Sequence, residues 1–114
     1  ARTFFLDREC WRRHLILDPY TGGDPTPKIR LRSSQGFDAA DYFIGTYWVW
    51  SKLIENLADV GYDGSLMTVM SYDWRLAYPM LEERDGYFTK LQYTIEAFHQ
   101  STGEKVVMIS HSMG

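Results

Sequence analysis

Residues 105–114 read "KVVMISHSMG". Four consecutive apolar residues, Val106 to Ile109, suit a strand covered on both faces, as in a parallel sheet. They run directly into Ser110-His111-Ser112-Met113-Gly114. A buried strand closed by a small-x-Ser-x-Gly turn has the local form of a nucleophile elbow, usually spelled G-x-S-x-G. Small residues two before and two after the serine let the backbones pass closely, so that the hydroxyl stands above the sheet. Ser110 occupies the first glycine position. The same five residues also fit an ordinary Ser/Gly turn, so the choice rests on what precedes them.

Upstream, Phe88, Leu91, Ile95 and Phe98 recur at helical steps, and Ser101-Thr102-Gly103 supplies a stop. This predicts a helix over residues 81–100, a short turn, and a strand over 105–109. The unit repeats earlier in the chain. Trp50, Leu53, Ile54, Leu57 and Val60 predict an amphipathic helix over 47–60 ended by Gly61, followed by a strand-like run, "LMTVMSY", at 66–72. A shorter strand is expected over 28–33, where Ile29 and Leu31 alternate with Arg30 and Arg32, followed by the loop Ser34-Gln35-Gly36-Phe37. Strand, helix, strand, helix, strand predicts an α/β fold: right-handed crossovers and a parallel sheet with helices on its faces. The expected architecture is a partial α/β-hydrolase fold ending at the elbow, and the preceding pattern is the context the motif requires.

Residues 1–27 stand outside the alternation. "DPYTGGDPTP" at 18–27 is loop, and the stretch before it is apolar and aromatic, with Phe4, Phe5, Leu6, Trp11, Leu15, Ile16 and Leu17. It reads as a short helix, a lid, or a piece of an upstream element. The expected organisation is a lid-like segment over 1–27 and a parallel-sheet core over 28–114. Together they form the N-terminal part of a single larger domain whose C-terminal part lies outside this sequence.

The totals agree with a globular chain. Of 114 residues, 45% are hydrophobic and 24% charged, while aromatics reach 16%, enough for a large core or a surface that meets lipid. A net charge of -3 and a pI near 5.5 argue against a nucleic-acid partner, since no basic stripe appears. No Gly-rich phosphate loop follows a strand, which weakens a nucleotide-binding reading. No run approaches the roughly 20 apolar residues of a membrane span. Cys10 has no second cysteine in this sequence, and its pairing state is left open.

Ser112 is the expected nucleophile. His111 adjoins it on a tight turn and points elsewhere, and a base must reach the serine hydroxyl. In this fold the chain order is Ser, then Asp or Glu, then His, so both other triad members are expected beyond Gly114. His14 and His99 precede the serine; His99, near a helix end, suits a surface or capping role. The backbone N–H of Met113 is the expected first oxyanion donor. The N–H of Phe37 is the second, with Gly36 giving its loop freedom to turn; the same loop also fits an ordinary strand-to-helix connection. Asp73, Trp74 and Arg75 read as structural residues near the site, Asp73 and Arg75 paired with each other or with neighbouring loops and Trp74 packed. Trp48 and Trp50 read as core, and Trp11 as divided between burial and an exposed role. No metal site or cofactor is implied.

Taken together, "CWRRHLILDPYTGGDP" (10–25), "IRLRSSQGFDAADYFIGTYWVW" (29–50), "SYDWRLAY" (71–78), "RDGYFTKLQYTIEAFHQSTGEKV" (84–106) and "SHSMG" (110–114) resemble the lecithin:cholesterol acyltransferase family, and within it the phospholipid:diacylglycerol acyltransferase branch. The resemblance implies an α/β-hydrolase core whose serine, Ser112, takes an acyl group from a phospholipid and gives it to diacylglycerol, yielding triacylglycerol and lysophospholipid. It implies Phe37 and Met113 as oxyanion donors. It also places Cys10 and Trp11 in a lid region where an aromatic contacts lipid at a membrane surface. The location it implies is the endoplasmic reticulum membrane, with a lumenal catalytic domain and the anchor outside these residues. It further implies that the fragment alone is inert and marginally stable. Two readings compete: a phospholipase or lipase on the same scaffold, with water as acceptor, and a non-enzymatic α/β interaction module.

Overall fold

The computed structural model describes the backbone of residues 7–44 and 47–114. Phe4, Phe5, Leu6 and the side chain of Trp48 lie outside the described residues. The chain divides into two units, Ala1–Arg32 with Asp73–Thr89, and Ser33–Tyr72 with Lys90–Gly114.

The first unit opens with helix α1, Arg8–Leu15. Of the three readings for this stretch, a short helix is the one observed. Asp7 caps it: its Oδ1 accepts the Cys10 N–H at 2.9 Å. Glu9 in the first turn and Arg12, Arg13 and His14 in the last complement the helix dipole. After α1, the Asp18 carboxylate accepts the N–H groups of Tyr20 and Thr21 and the Thr21 hydroxyl, which folds "DPYTGG" into a tight loop. Gly22 is where this loop meets the rest of the unit. It is buried, its φ is 64°, and a Cβ there would lie 2.7 Å from Leu76 Cδ2. Gly22→Ala is therefore expected to destabilise the protein by about 1–3 kcal/mol, read as a lowered unfolding midpoint.

Helix α4, Tyr78–Asp85, carries Pro79 in its first turn, where the missing N–H has no intrahelical role. It buries Leu81, 1% exposed, next to the turn that buries Asp73 and Leu76. At Gly86 the chain adopts φ 61° and the helix stops. Helix α5 then begins, Tyr87–Thr102. The single helix expected over 81–100 is thus two helices, because a left-handed glycine lies between Leu81 and the apolar period that begins at Phe88. Phe88, at the junction, packs edge-on against Tyr78 and Tyr87.

In the second unit, helix α2, Asp38–Asp41, leads into strands β1, Tyr42–Ile44, and β2, Tyr47–Trp48, an antiparallel pair with a register irregularity. Helix α3, Ser51–Asp59, follows. It starts four residues later than expected, since Tyr47 and Trp48 are taken by β2. Leu53, Ile54 and Leu57 form its half-buried stripe, whereas Val60 lies past its end and is 72% exposed. Leu91, Ile95 and Phe98 are half-buried on α5.

The β-α-β-α-β pattern does not appear as a ladder. Among the described residues, 28–33 contribute one isolated bridge, Thr26 to Ile29, and the runs 66–72 and 105–109 form no strand. Val107, Met108 and Ile109 are 82%, 67% and 57% exposed. A strand apolar on both sides is stabilised by neighbouring backbones and by covering layers on each face. The described residues provide neither for this run.

Candidate functional site

Residues 110–114 form a turn in which the Gly114 N–H donates to the His111 carbonyl at 3.0 Å. Ser112 has φ 58° and is the only non-glycine with positive φ among the described residues. Positive φ at the first central position alone is the sign pattern of a type II′ turn, a place normally held by glycine. An L-residue kept there stores about 1–3 kcal/mol of strain. Such strain accompanies the sharp turn of a nucleophile elbow.

The turn is also crowded where the motif demands small residues. A Cβ on Gly114 would lie 2.9 Å from Ser110 Cβ and 3.1 Å from the His111 nitrogen. The crossing therefore accepts one Cβ, that of Ser110, and not two. Gly114→Ala is expected to cost about 1–3 kcal/mol, and Ser110→Gly combined with it to recover most of that loss. Unfolding midpoints of the two variants check this.

Two further contacts fix the neighbourhood. The Tyr72 hydroxyl donates to the Met113 carbonyl at 2.6 Å. The Ser71 hydroxyl donates to the Ser34 carbonyl. The loop at 34–37 thus belongs to the same unit as the elbow, and Gly36 in it has φ 80°. Ser71 and Tyr72 were not singled out from sequence as site residues. Their signals were position, at the polar end of an apolar run, and membership of the stretch 71–78 that carries the family resemblance.

The histidines are engaged elsewhere. His111 meets the Trp50 ring edge-on, centroids 6.2 Å apart. His99 Nδ1 bonds the Glu104 carbonyl at 2.8 Å, just past the end of α5. His14 Nδ1 bonds the Cys10 carbonyl at 2.7 Å within α1. Trp11 is 37% exposed.

Asp73 and Arg75 sit in the first unit and pair with each other, the first of the two arrangements the sequence left open, and a residue missed in the sequence completes them. Asp73 is 4% exposed; Arg75 grips it through Nε at 2.8 Å and a terminal nitrogen at 2.7 Å, and Arg84 reaches it at 2.8 Å. The two terminal nitrogens of Arg75 also bond the carbonyls of Leu15 and Leu31, and Arg84 bonds that of Gly22. Burial works against the charge of Asp73, but the hydrogen bonds from Arg75 and Arg84 outweigh it and hold its carboxyl well below the usual range. Asp85 raises the Arg84 pKa above its ordinary value, and Arg84 lowers that of Asp85. Trp74 does not pack: it is 64% exposed. The turn closed by the Leu76 N–H on the Asp73 carbonyl buries its two ends and turns Trp74 outward.

No group of three or more His, Cys, Asp or Glu among the described residues is arranged to hold a metal ion. No helix among them is long and apolar enough to cross a membrane.

The family description for lecithin:cholesterol acyltransferase matches residues 1–114. The chain is 56% identical over 113 residues to the phospholipid:diacylglycerol acyltransferase of Saccharomyces cerevisiae, covering 99% of this chain and 17% of that protein. It is 57% identical over 113 residues to the Schizosaccharomyces pombe protein of the same name, covering 99% and 18%. To the lysosomal phospholipase A and acyltransferase of Canis lupus familiaris it is 35% identical over 83 residues, covering 72% and 19%. No solved structure matches. The chain spans about a sixth of the length of the two fungal relatives. With matches along its whole length, the chain belongs to the lecithin:cholesterol acyltransferase family.

Proposed function

We propose that the protein carrying these residues moves a fatty acyl group from a phospholipid to diacylglycerol through an ester on Ser112. The observation that carries this reading is the positive φ of Ser112 in a turn crowded by Ser110 and Gly114, in a chain of this family. Ser112 Oγ attacks the phospholipid ester carbonyl and its proton passes to a histidine base C-terminal to Gly114, oriented by an acid. That proton then goes to the departing lysophospholipid oxygen. In the second half, the diacylglycerol hydroxyl gives its proton to the same base and attacks the acyl-serine, forming triacylglycerol and restoring the Ser112 hydroxyl. The N–H groups of Phe37 and Met113 stabilise the oxyanion in both halves.

The 105–109 run takes its place as a central strand of an α/β-hydrolase sheet, flanked by 66–72, and its exposed apolar side chains are covered by further layers of the same domain. Trp11, near the surface of its unit, meets lipid. The site of action is the endoplasmic reticulum membrane, with the catalytic domain lumenal. A second reading, transfer of the acyl group to water, draws on the phospholipase A name of the canine relative.

Acyl-labelled phospholipid, supplied to the complete protein with diacylglycerol, separates the readings. Label in triacylglycerol supports transfer; label in free fatty acid alone assigns hydrolysis. Product formation that is independent of Ser112 removes both.

A further inference from the structure

An oxyanion hole built from Phe37 and Met113 has a geometric problem. Its two N–H groups come from segments far apart in sequence, and neither segment belongs to a ladder among the described residues. Both donors must nevertheless lie about 2.7–3.1 Å from one oxygen. Something must hold the two segments at a fixed spacing.

We propose that Ser71 and Tyr72 are that device, a pair of positioning residues that set the oxyanion hole; the inference rests on the proposed acyl-transfer function. Ser71 donates its hydroxyl hydrogen to the Ser34 carbonyl, three residues before Phe37. Tyr72 donates its phenolic hydrogen to the Met113 carbonyl at 2.6 Å. The two ties leave from adjacent residues joined by one trans peptide, which keeps their Cα atoms about 3.8 Å apart. Two adjacent residues therefore hold the loop that carries Phe37 and the turn that carries Met113. Neither tie uses an oxyanion donor, since both end on carbonyls. The Tyr72 bond lands one residue past Ser112, so it also resists relaxation of the strained turn. Displacement of a reacting group by about 1 Å can cost on the order of 100-fold in rate. Loosening one tie is expected to cost about tenfold, less than complete loss of a donor.

The test uses the complete protein with phospholipid and diacylglycerol, comparing wild type with Ser71→Ala, Ser71→Thr, Tyr72→Phe and the Ser71→Ala/Tyr72→Phe pair. Initial rates give kcat and KM. Labelling by an alkyl fluorophosphonate, whose phosphoryl oxygen occupies the same hole, reports acylation without the acceptor. The expected result is a roughly tenfold fall in kcat and in labelling rate for Ser71→Ala and Tyr72→Phe, with KM and melting temperature nearly unchanged. Ser71→Thr, which keeps the hydroxyl, recovers most of the loss. The double variant falls by less than the product of the singles, because both ties serve one hole. Wild-type kcat in both single variants overturns the inference, as does a fall in kcat that merely tracks lowered melting temperature. A wild-type protein with no Ser112-dependent turnover is a different failure: it removes the proposed function, and this inference with it.

Discussion

Replacing Ser112 with alanine is expected to reduce acyl transfer by at least about a thousandfold while leaving the melting temperature within a few degrees of wild type. The loss is large because the acyl-enzyme has no other oxygen to form on. The small effect on folding follows from exposure, since the Ser112 side chain is on the surface of its unit. Ser112→Gly separates the strain of the turn from the loss of the hydroxyl. Glycine removes the same hydroxyl, so turnover falls equally. It also relieves the φ of 58°, and the variant is expected to be about 1 kcal/mol more stable than Ser112→Ala. Parallel turnover assays and thermal unfolding of the two variants check both expectations.

Asp73→Ala is expected to lower stability by about 3–5 kcal/mol, the largest structural effect of any single change considered. The substitution leaves the Arg75 guanidinium, 9% exposed, without its carboxylate. Arg84 keeps Asp85 at 2.6 Å and is less affected. The same arginines tether Leu15, Leu31 and Gly22 through their carbonyls, so the loss spreads across the first unit. Acid should reveal the ion cluster in the wild type. The Asp73 pKa is lowered on folding, so its contribution is fully present above the unfolded value near 3.8 and is lost as pH falls through the depressed folded value. The stability gap between wild type and Asp73→Ala should accordingly be constant from pH 7 to about pH 5 and narrow below about pH 4. Urea midpoints measured across that range check both the size and the sign. A gap that widens toward low pH would show that Asp73 is not held ionised by its arginines.

Local features of this fold were legible in the sequence, and features that depend on distant partners were not. The helix stops at Gly61 and Gly103 were readable, and these residues have φ 99° and 74°. The small residues around Ser112 were readable because crowding at a tight turn is a local matter. The break at Gly86 was missed because the expected helix was extended back to Leu81 from a period that begins only at Phe88, and periodicity carries no penalty for a left-handed residue. The apolar runs at 66–72 and 105–109 announced strands, yet strand pairing is a property of partners, and a run of Val, Met and Ile looks the same paired or unpaired. Arg84 escaped notice because its link to Asp73 crosses from a turn to the last turn of α4. Trp74 was misjudged for a related reason: a turn with two buried ends forces a central residue outward, and the closing bond between Asp73 and Leu76 cannot be read from composition. Ser71 and Tyr72 are the clearest case. Their partners lie 37 and 41 residues away, and a hydroxyl at the end of an apolar run has many possible acceptors.

The central claim is an ester between a fatty acyl group and Ser112, and trapping it is the most direct measurement. The complete protein would be mixed with phospholipid bearing a deuterated acyl chain, quenched in acid within a turnover, digested, and the peptide containing Ser112 weighed. The expected result is the mass of the deuterated acyl group on that peptide, located to Ser112, released by hydroxylamine, and depleted when diacylglycerol is added before the quench. The contradicting result is active turnover with the label on another residue, or turnover that persists at the wild-type rate in Ser112→Ala.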